Sequence, residues 1–117
     1  MKRKMKRYCK TLELKNNAGL IREYEKLHAP GAAWPEVTRG MKKVGILDME
    51  IYLSGTTLFM IMDTIPGFDH DSAMSQLAKL PRQAEWEAVV SKYQKTTAGE
   101  AAGKKWKVME RIFKLGE

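Results

Sequence analysis

Apolar and polar positions alternate from Arg7 to Leu14. Tyr8, Lys10, Leu12 and Leu14 fall on one side of an extended chain, with Cys9, Thr11 and Glu13 on the other, the period-two pattern of a strand. Beyond it the period changes. Leu20, Ile21, Tyr24, Leu27 and His28 recur at three- and four-residue spacing, which predicts a helix over about 18–28 with Asn16 or Asn17 as its N-cap. The run HAPG ends that helix. Pro35, tolerated in a helix's first turn, opens a second short helix over about 35–43, closed by Gly45. Two strand-like runs follow, ILDMEIYL (46–53) and TLFMIMDTI (57–65), joined by Ser54-Gly55-Thr56 as a β-hairpin. Pro66-Gly67 stops the second run. Helices are predicted from Asp69 to Lys79, capped near Asp69 or Asp71, and from Pro81 to Lys95. TTAGEAAGK is a small-residue loop, and KVMERIFKL alternates again as a last strand.

Strand, helices, strand, strand, helices, strand is the split βαβ order of a ferredoxin-like fold, an α+β four-stranded antiparallel sheet with helices on one face. One strand says more. In TLFMIMD both alternating sets are apolar, Leu58, Met60 and Met62 against Phe59 and Ile61, whereas a sheet wetted on one side carries polar residues there. The second face needs a cover, and the chain has no helices left to supply it. A second copy of the same sheet is the economical partner, giving a homodimer through sheet-to-sheet packing, a dimeric α/β barrel.

Composition changes this picture in one respect. The length of 117 residues suits a single core. The net charge of +7 suggests nucleic acid until it is located. Of 21 Lys and Arg, six (Lys2, Arg3, Lys4, Lys6, Arg7 and Lys10) lie in the first ten residues without an acidic neighbour, which leaves 15 against 14 Asp and Glu. The charge belongs to a tail, so residues 1–6 are expected as a basic disordered extension and 7–117 as one folded domain. No apolar run of signal-peptide length follows the charges, and SGTTLFMIM is far short of a membrane span, so a soluble cytoplasmic protein without membrane contact is expected. The single Cys9 cannot form an intramolecular disulfide, which fits a reducing compartment.

Tyr24 and His28 are i,i+4 neighbours on the first helix, so a phenol and an imidazole are delivered side by side. His28 falls just before the Ala29-Pro30-Gly31 break, where an element's end overlooks the rim of a sheet. The helix C-terminus also favours imidazolium, which would hold its titration near neutrality. His70, flanked by Asp69 and Asp71, lacks a third metal ligand at recognisable spacing and reads as a capped helix start. Trp34, Trp86 and Trp106 suit a core, with Trp86 the most helix-facial of the three. Glu50 and Tyr52 share one face of their strand and would reach a pocket if that face pointed inward. There is no nucleophile elbow, P-loop, dinucleotide fingerprint or zinc signature, so the reaction should need only proton movement and no cofactor or metal.

The segment YEKLHAPGAAWPE resembles the L-rhamnose mutarotase family, whose members carry a Tyr-x-x-x-His helix followed by Trp-Pro-Glu. The resemblance runs from about Arg7 through ILDMEIYL, TLFMIMD, WEAVVSKY and MERIFKL in the family's order. It implies a dimeric α+β barrel that interconverts the α and β anomers of a 6-deoxy-hexopyranose without a cofactor. It also implies His28 as general acid, Tyr24 as a substrate-binding hydroxyl, and Trp86 as the second member of a Trp-Trp pair lining the sugar pocket. Three departures stand out: a longer loop between His28 and Trp34, Glu85 in place of the first Trp of the pair, and Met49 in place of a pocket tyrosine. They leave the sugar open among L-rhamnose, L-fucose and related aldoses. The second proton carrier is expected to be Tyr24 before Glu50 or Tyr52.

Two other classes stay in view. A ferredoxin-like domain with a basic arm could bind RNA, but TLFMIMD offers one Phe among aliphatic residues and Met instead of paired stacking aromatics flanked by cations, which argues against nucleic acid. Another dimeric barrel enzyme, a cofactor-free monooxygenase or a haem binder with His28 or His70 as axial ligand, is compatible with the architecture.

Overall fold

The protein's computed structural model describes residues 5–96 and 105–116. Their order is β1 (Lys6–Glu13), α1 (Ala18–Leu27), α2 (Pro35–Lys43), β2 (Ile46–Ser54), β3 (Thr57–Thr64), α3 (His70–Ala78), α4 (Gln83–Ser91) and β4 (Lys107–Met109). The sheet runs β2-β3-β1-β4 with every neighbour antiparallel, the ferredoxin-like order expected.

Local chemistry sets the element ends. Asn17, in extended conformation, accepts from the Leu20 amide at 3.0 Å and starts α1, a cap worth about 1 kcal/mol. Pro35 opens α2, and Lys42 and Lys43 stand in its last turn beside the exposed carbonyls. Gly45 then turns the chain with φ +108°, and a Cβ there would sit 2.9 Å from Ile65 Cδ1, so only glycine lets α2 hand over to β2 this tightly. The hairpin turns on Gly55 at φ +62°.

Register divides the two faces. Leu58, Met60 and Met62 of β3 are buried against the helices, with Leu12, Lys10 and Tyr8 of β1 opposite them in turn. Phe59, Ile61 and Asp63 point to the other side, opposite Tyr52, Glu50 and Asp48 of β2. That outer face is largely apolar along β3, as the sequence indicated, and Tyr52 and Phe59, directly paired, are 54% and 38% exposed. Arg7 and Asp63 cross it as a bidentate pair at 2.7 and 3.0 Å.

Two expectations change. Lys6 already belongs to β1 and donates to the Phe68 carbonyl at 2.9 Å, Arg7 is ion-paired, and Lys10 is buried in the central sheet. Those three cations are therefore not part of a tail; residues 1–4, which hold the other three, lie outside the described residues, as do residues 97–104 of the small-residue loop. The last strand covers only Lys107–Met109. Continuing its register would set Arg111 opposite Arg7, a like-charge pair that disfavours the ladder. The segment beyond leaves Ile112, Phe113 and Leu115 exposed by 90, 74 and 91%.

Candidate active site

The helices do not close fully on the sheet. One buried cluster gathers around Leu12, Tyr24, Leu58 and Trp86, another around Ile46, Met60, Met62 and Phe68. Between them lies a cavity of about 330 Å³, within the roughly 300–1,000 Å³ of small-ligand pockets. Its wall is mostly apolar, with Lys10, Tyr24, His28, Gln83, Glu87 and Gln94 as its main polar members.

His28 caps the C-terminus of α1. Its Nδ1 lies 2.8 Å from the Tyr24 carbonyl oxygen. A carbonyl only accepts, so Nδ1 carries the proton and Nε2 of the neutral ring keeps its lone pair. Burial lowers the imidazole pKa from its ordinary value, with the Tyr24 carbonyl opposing it. Desolvation thus outweighs the helix-end effect expected to favour imidazolium, and the resting ring is neutral.

Aromatic rings hold it in place. Tyr24 lies over the imidazole with centroids 4.4 Å apart, and Trp86 meets it edge-on at 5.3 Å. Trp34 packs edge-on against Trp86 at 5.2 Å, and Arg82 sits 4.0 Å over the Trp34 ring. Arg82 does so from a left-handed backbone, φ 65°, which costs a non-glycine residue about 1 kcal/mol or more.

The polar wall is a network. Lys105, with a side chain only 1% exposed, donates to Glu87 Oε1 at 2.8 Å, Ser91 Oγ at 2.9 Å and Gln94 Oε1 at 2.9 Å, so all three ammonium protons are placed. Gln83 Nε2 donates to Glu87 Oε2 at 3.1 Å, while Gln83 Oε1 is buried without a partner among the described residues. Burial pushes the Tyr24 phenol up to about 12, although a hydrogen bond with Gln94 pulls the other way.

A family model described as L-rhamnose mutarotase matches residues 7–115. The chain belongs to the L-rhamnose mutarotase family. It is 39% identical over 113 residues to an L-fucose mutarotase of Xanthomonas campestris, covering 97% of this chain and 90% of the relative. It is 32% identical over 114 residues to a UPF0734 protein of Dictyostelium discoideum, covering 94% of this chain and 90% of that one. In fold it is similar to a crystal structure of an L-rhamnose mutarotase from Formosa agariphila, with TM-score 0.71 and 17% identity over 95% of this chain and 99% of that one. The protein is therefore a carbohydrate isomerase of the rhamnose/fucose mutarotase type.

Within this family frame, the cavity gathers Tyr24, His28, Trp86 and Met49, four of the residues expected at the sugar. It does not gather the others. Glu85 points to solvent on α4 and lies 3.7 Å from Arg82. Glu50 and Tyr52 share a face, as expected, and Tyr52 donates to Glu50 at 3.2 Å, but that face is the outer one. Residues of β2 alternate sides, and packing turned Met49 and Ile51 inward. His70 lies outside the cavity, its ring 5.1 Å from Tyr8, while Asp69 caps α3. Trp34, the tryptophan of the Trp-Pro-Glu motif, packs edge-on against Trp86 without lining the cavity itself.

Sequence reasoning passed over Lys10, Gln83, Glu87 and Gln94. The signal for three of them is legible in hindsight: positions 83, 86, 87, 90 and 94 share one face of α4 and its end. Lys10 shares the inward side of β1 with Leu12, although its position in the chain groups it with the N-terminal cations.

Proposed function

We propose that the protein exchanges the anomers of a 6-deoxy-hexopyranose, L-fucose before L-rhamnose, with His28 as the principal proton carrier. The observation that carries this reading is the Nδ1 hydrogen bond from His28 to the Tyr24 carbonyl, which leaves Nε2 as the basic nitrogen of a residue lining the cavity. Nε2 takes the proton from the anomeric hydroxyl while a second group delivers one to the ring oxygen. The C1–ring oxygen bond opens to an aldehyde, C1 rotates, and the reverse transfers close the ring on the other face. These steps need no covalent intermediate and no cofactor.

Tyr24, Trp86 and Met49 form the binding wall in this reading. The hydroxyl of Tyr24 contacts the sugar, the Trp86 ring edge limits where the pyranose sits, and Met49 with the other methionines faces its C6 methyl group. The preference for L-fucose rests on the 39% identity to a relative of that name.

The protein acts as a homodimer in this proposal, two outer sheet faces packed together. The exposed Tyr52 and Phe59, with Ile112, Phe113 and Leu115 beyond β4, support it as apolar side chains that one chain leaves uncovered. Cytoplasmic location is proposed from the lone Cys9.

Saturation-transfer NMR of the C1 proton tests the activity. Wild type should accelerate exchange of L-fucose above the buffer rate, and His28→Ala should lower it by about 10²-fold or more while keeping the fold. Exchange by wild type no faster than buffer for L-fucose and L-rhamnose defeats the reading. Sedimentation as a monomer at micromolar concentration defeats the dimer.

A further inference from the structure

Ring opening needs two proton carriers, and His28 accounts for one. Tyr24 suits the second role poorly: its phenol, pushed up to about 12, is too weak an acid to give its proton to a sugar oxygen near neutrality. Glu87 is already engaged, one carboxylate oxygen with Lys105 and the other with Gln83. Glu50 and Tyr52 lie on the outer face.

Lys10 remains, and its placement is unusual. It sits mid-strand in β1, opposite Met60 of β3 on one side and Val108 of β4 on the other, only 3% exposed. Lysine is almost never buried this far without a partner. Among the described residues its ammonium makes no hydrogen bond, and the charge that acts on it is that of Asp71 at the start of α3. The cavity it lines is the one His28 lines from α1. The anomeric and ring oxygens are bonded to the same carbon, so carriers on two walls of one small cavity can serve both.

We propose that Lys10 is the second proton carrier of anomer exchange: its ammonium protonates the ring oxygen as the C1–O bond breaks, and its amine recovers that proton when the ring recloses. The proposal rests on the mutarotase reading above. The step balances, since the proton His28 removes from the anomeric hydroxyl matches the one Lys10 gives, and both return on closure. Burial lowers the ammonium to about 8, with Asp71 opposing, so it is protonated at neutrality yet acidic enough to donate. The other ionisable groups around the cavity are His28 and Tyr24 from α1 and the Lys105-paired Glu87 from α4. The competent form has neutral His28 and protonated Lys10, so kcat/KM should fall as pH rises through about 8.

The test measures anomer exchange against pH for wild type, Lys10→Met and Lys10→Arg, after subtraction of the buffer rate. Lys10→Met should lower exchange by roughly 10²-fold and abolish the alkaline limb. Lys10→Arg keeps the charge but cannot release its proton in this range, so it should keep KM near wild type while kcat stays low. Wild-type exchange by Lys10→Met, or restoration of kcat by Lys10→Arg, overturns the proposal and leaves the mutarotase reading standing. Wild type without an alkaline limb near 8 overturns it as well, whether or not Lys10→Met folds. Absence of exchange by wild type on any 6-deoxy-aldose removes the mutarotase reading and this proposal together.

Discussion

His28 Nδ1 and the Tyr24 carbonyl oxygen are 2.8 Å apart, so the last turn of one helix fixes both the orientation and the tautomer of the imidazole. Burial makes the charged ring costly and lowers its pKa from 6.5. The sign follows directly. A neutral base should keep working as pH falls to 6.5, with the acid limb of kcat/KM appearing only below that value. The same shift makes His28 contribute stability above 6.5 that is lost as pH falls from there through its native value. An acid limb at or above 6.5 in an NMR exchange series would contradict the buried, carbonyl-tethered ring.

Gln83 offers a cavity-lining acceptor. Its amide nitrogen is committed to Glu87 while Oε1 has no partner among the described residues, an arrangement that suits a sugar hydroxyl as donor. Gln83→Ala should raise KM by about tenfold, the loss of one hydrogen bond of about 1.4 kcal/mol, with kcat changed less. Exchange rates across a sugar concentration series separate the two parameters, and an unchanged KM would remove Gln83 from binding.

Trp34 supports the site from behind. Its edge-on contact with Trp86 at 5.2 Å and the Arg82 guanidinium 4.0 Å above it position the ring that touches His28. Trp34→Ala should destabilise the fold by about 3 kcal/mol and loosen Trp86. Tryptophan fluorescence of Trp86 should shift to the red in that variant, and chemical denaturation gives the stability loss.

Lys105 is expected to matter for stability more than for chemistry. Replacing it by Met strands Glu87, Ser91 and Gln94 around an apolar chain. Because the Glu87 side chain is 26% exposed, the cost should fall at the lower end of the roughly 3–5 kcal/mol seen when a buried pair is broken, about 3 kcal/mol. A urea midpoint within error of wild type would show that the network contributes little.

Much of this molecule is legible from local pattern. Asn17, Pro35 and Gly45 mark helix ends because capping, a missing N–H and a positive φ are requirements of single positions. The alternation in β1 and β3 fixed which side chains travel together. The Tyr24/His28 spacing puts phenol and imidazole on one helix face whatever the tertiary contacts. The outlying miss, β4, arose because alternation shows that KVMERIFKL is suited to pairing, and only the sheet decides how much of it finds a partner.

The amino-acid sequence by itself determined the elements, their order, the family and the imidazole, because each depends on neighbours a few residues apart. Tertiary packing alone decided which face of β2 met the helices, taking Met49 inward and Glu50 and Tyr52 out, since β3 is apolar on both sides and period-two alternation cannot say which side is the core. It also decided that Lys10 is buried beside a cavity instead of solvated with its basic neighbours, and that Trp34 stands against Trp86. Desolvation and ring contact depend on atoms distant along the chain, and no local periodicity encodes them.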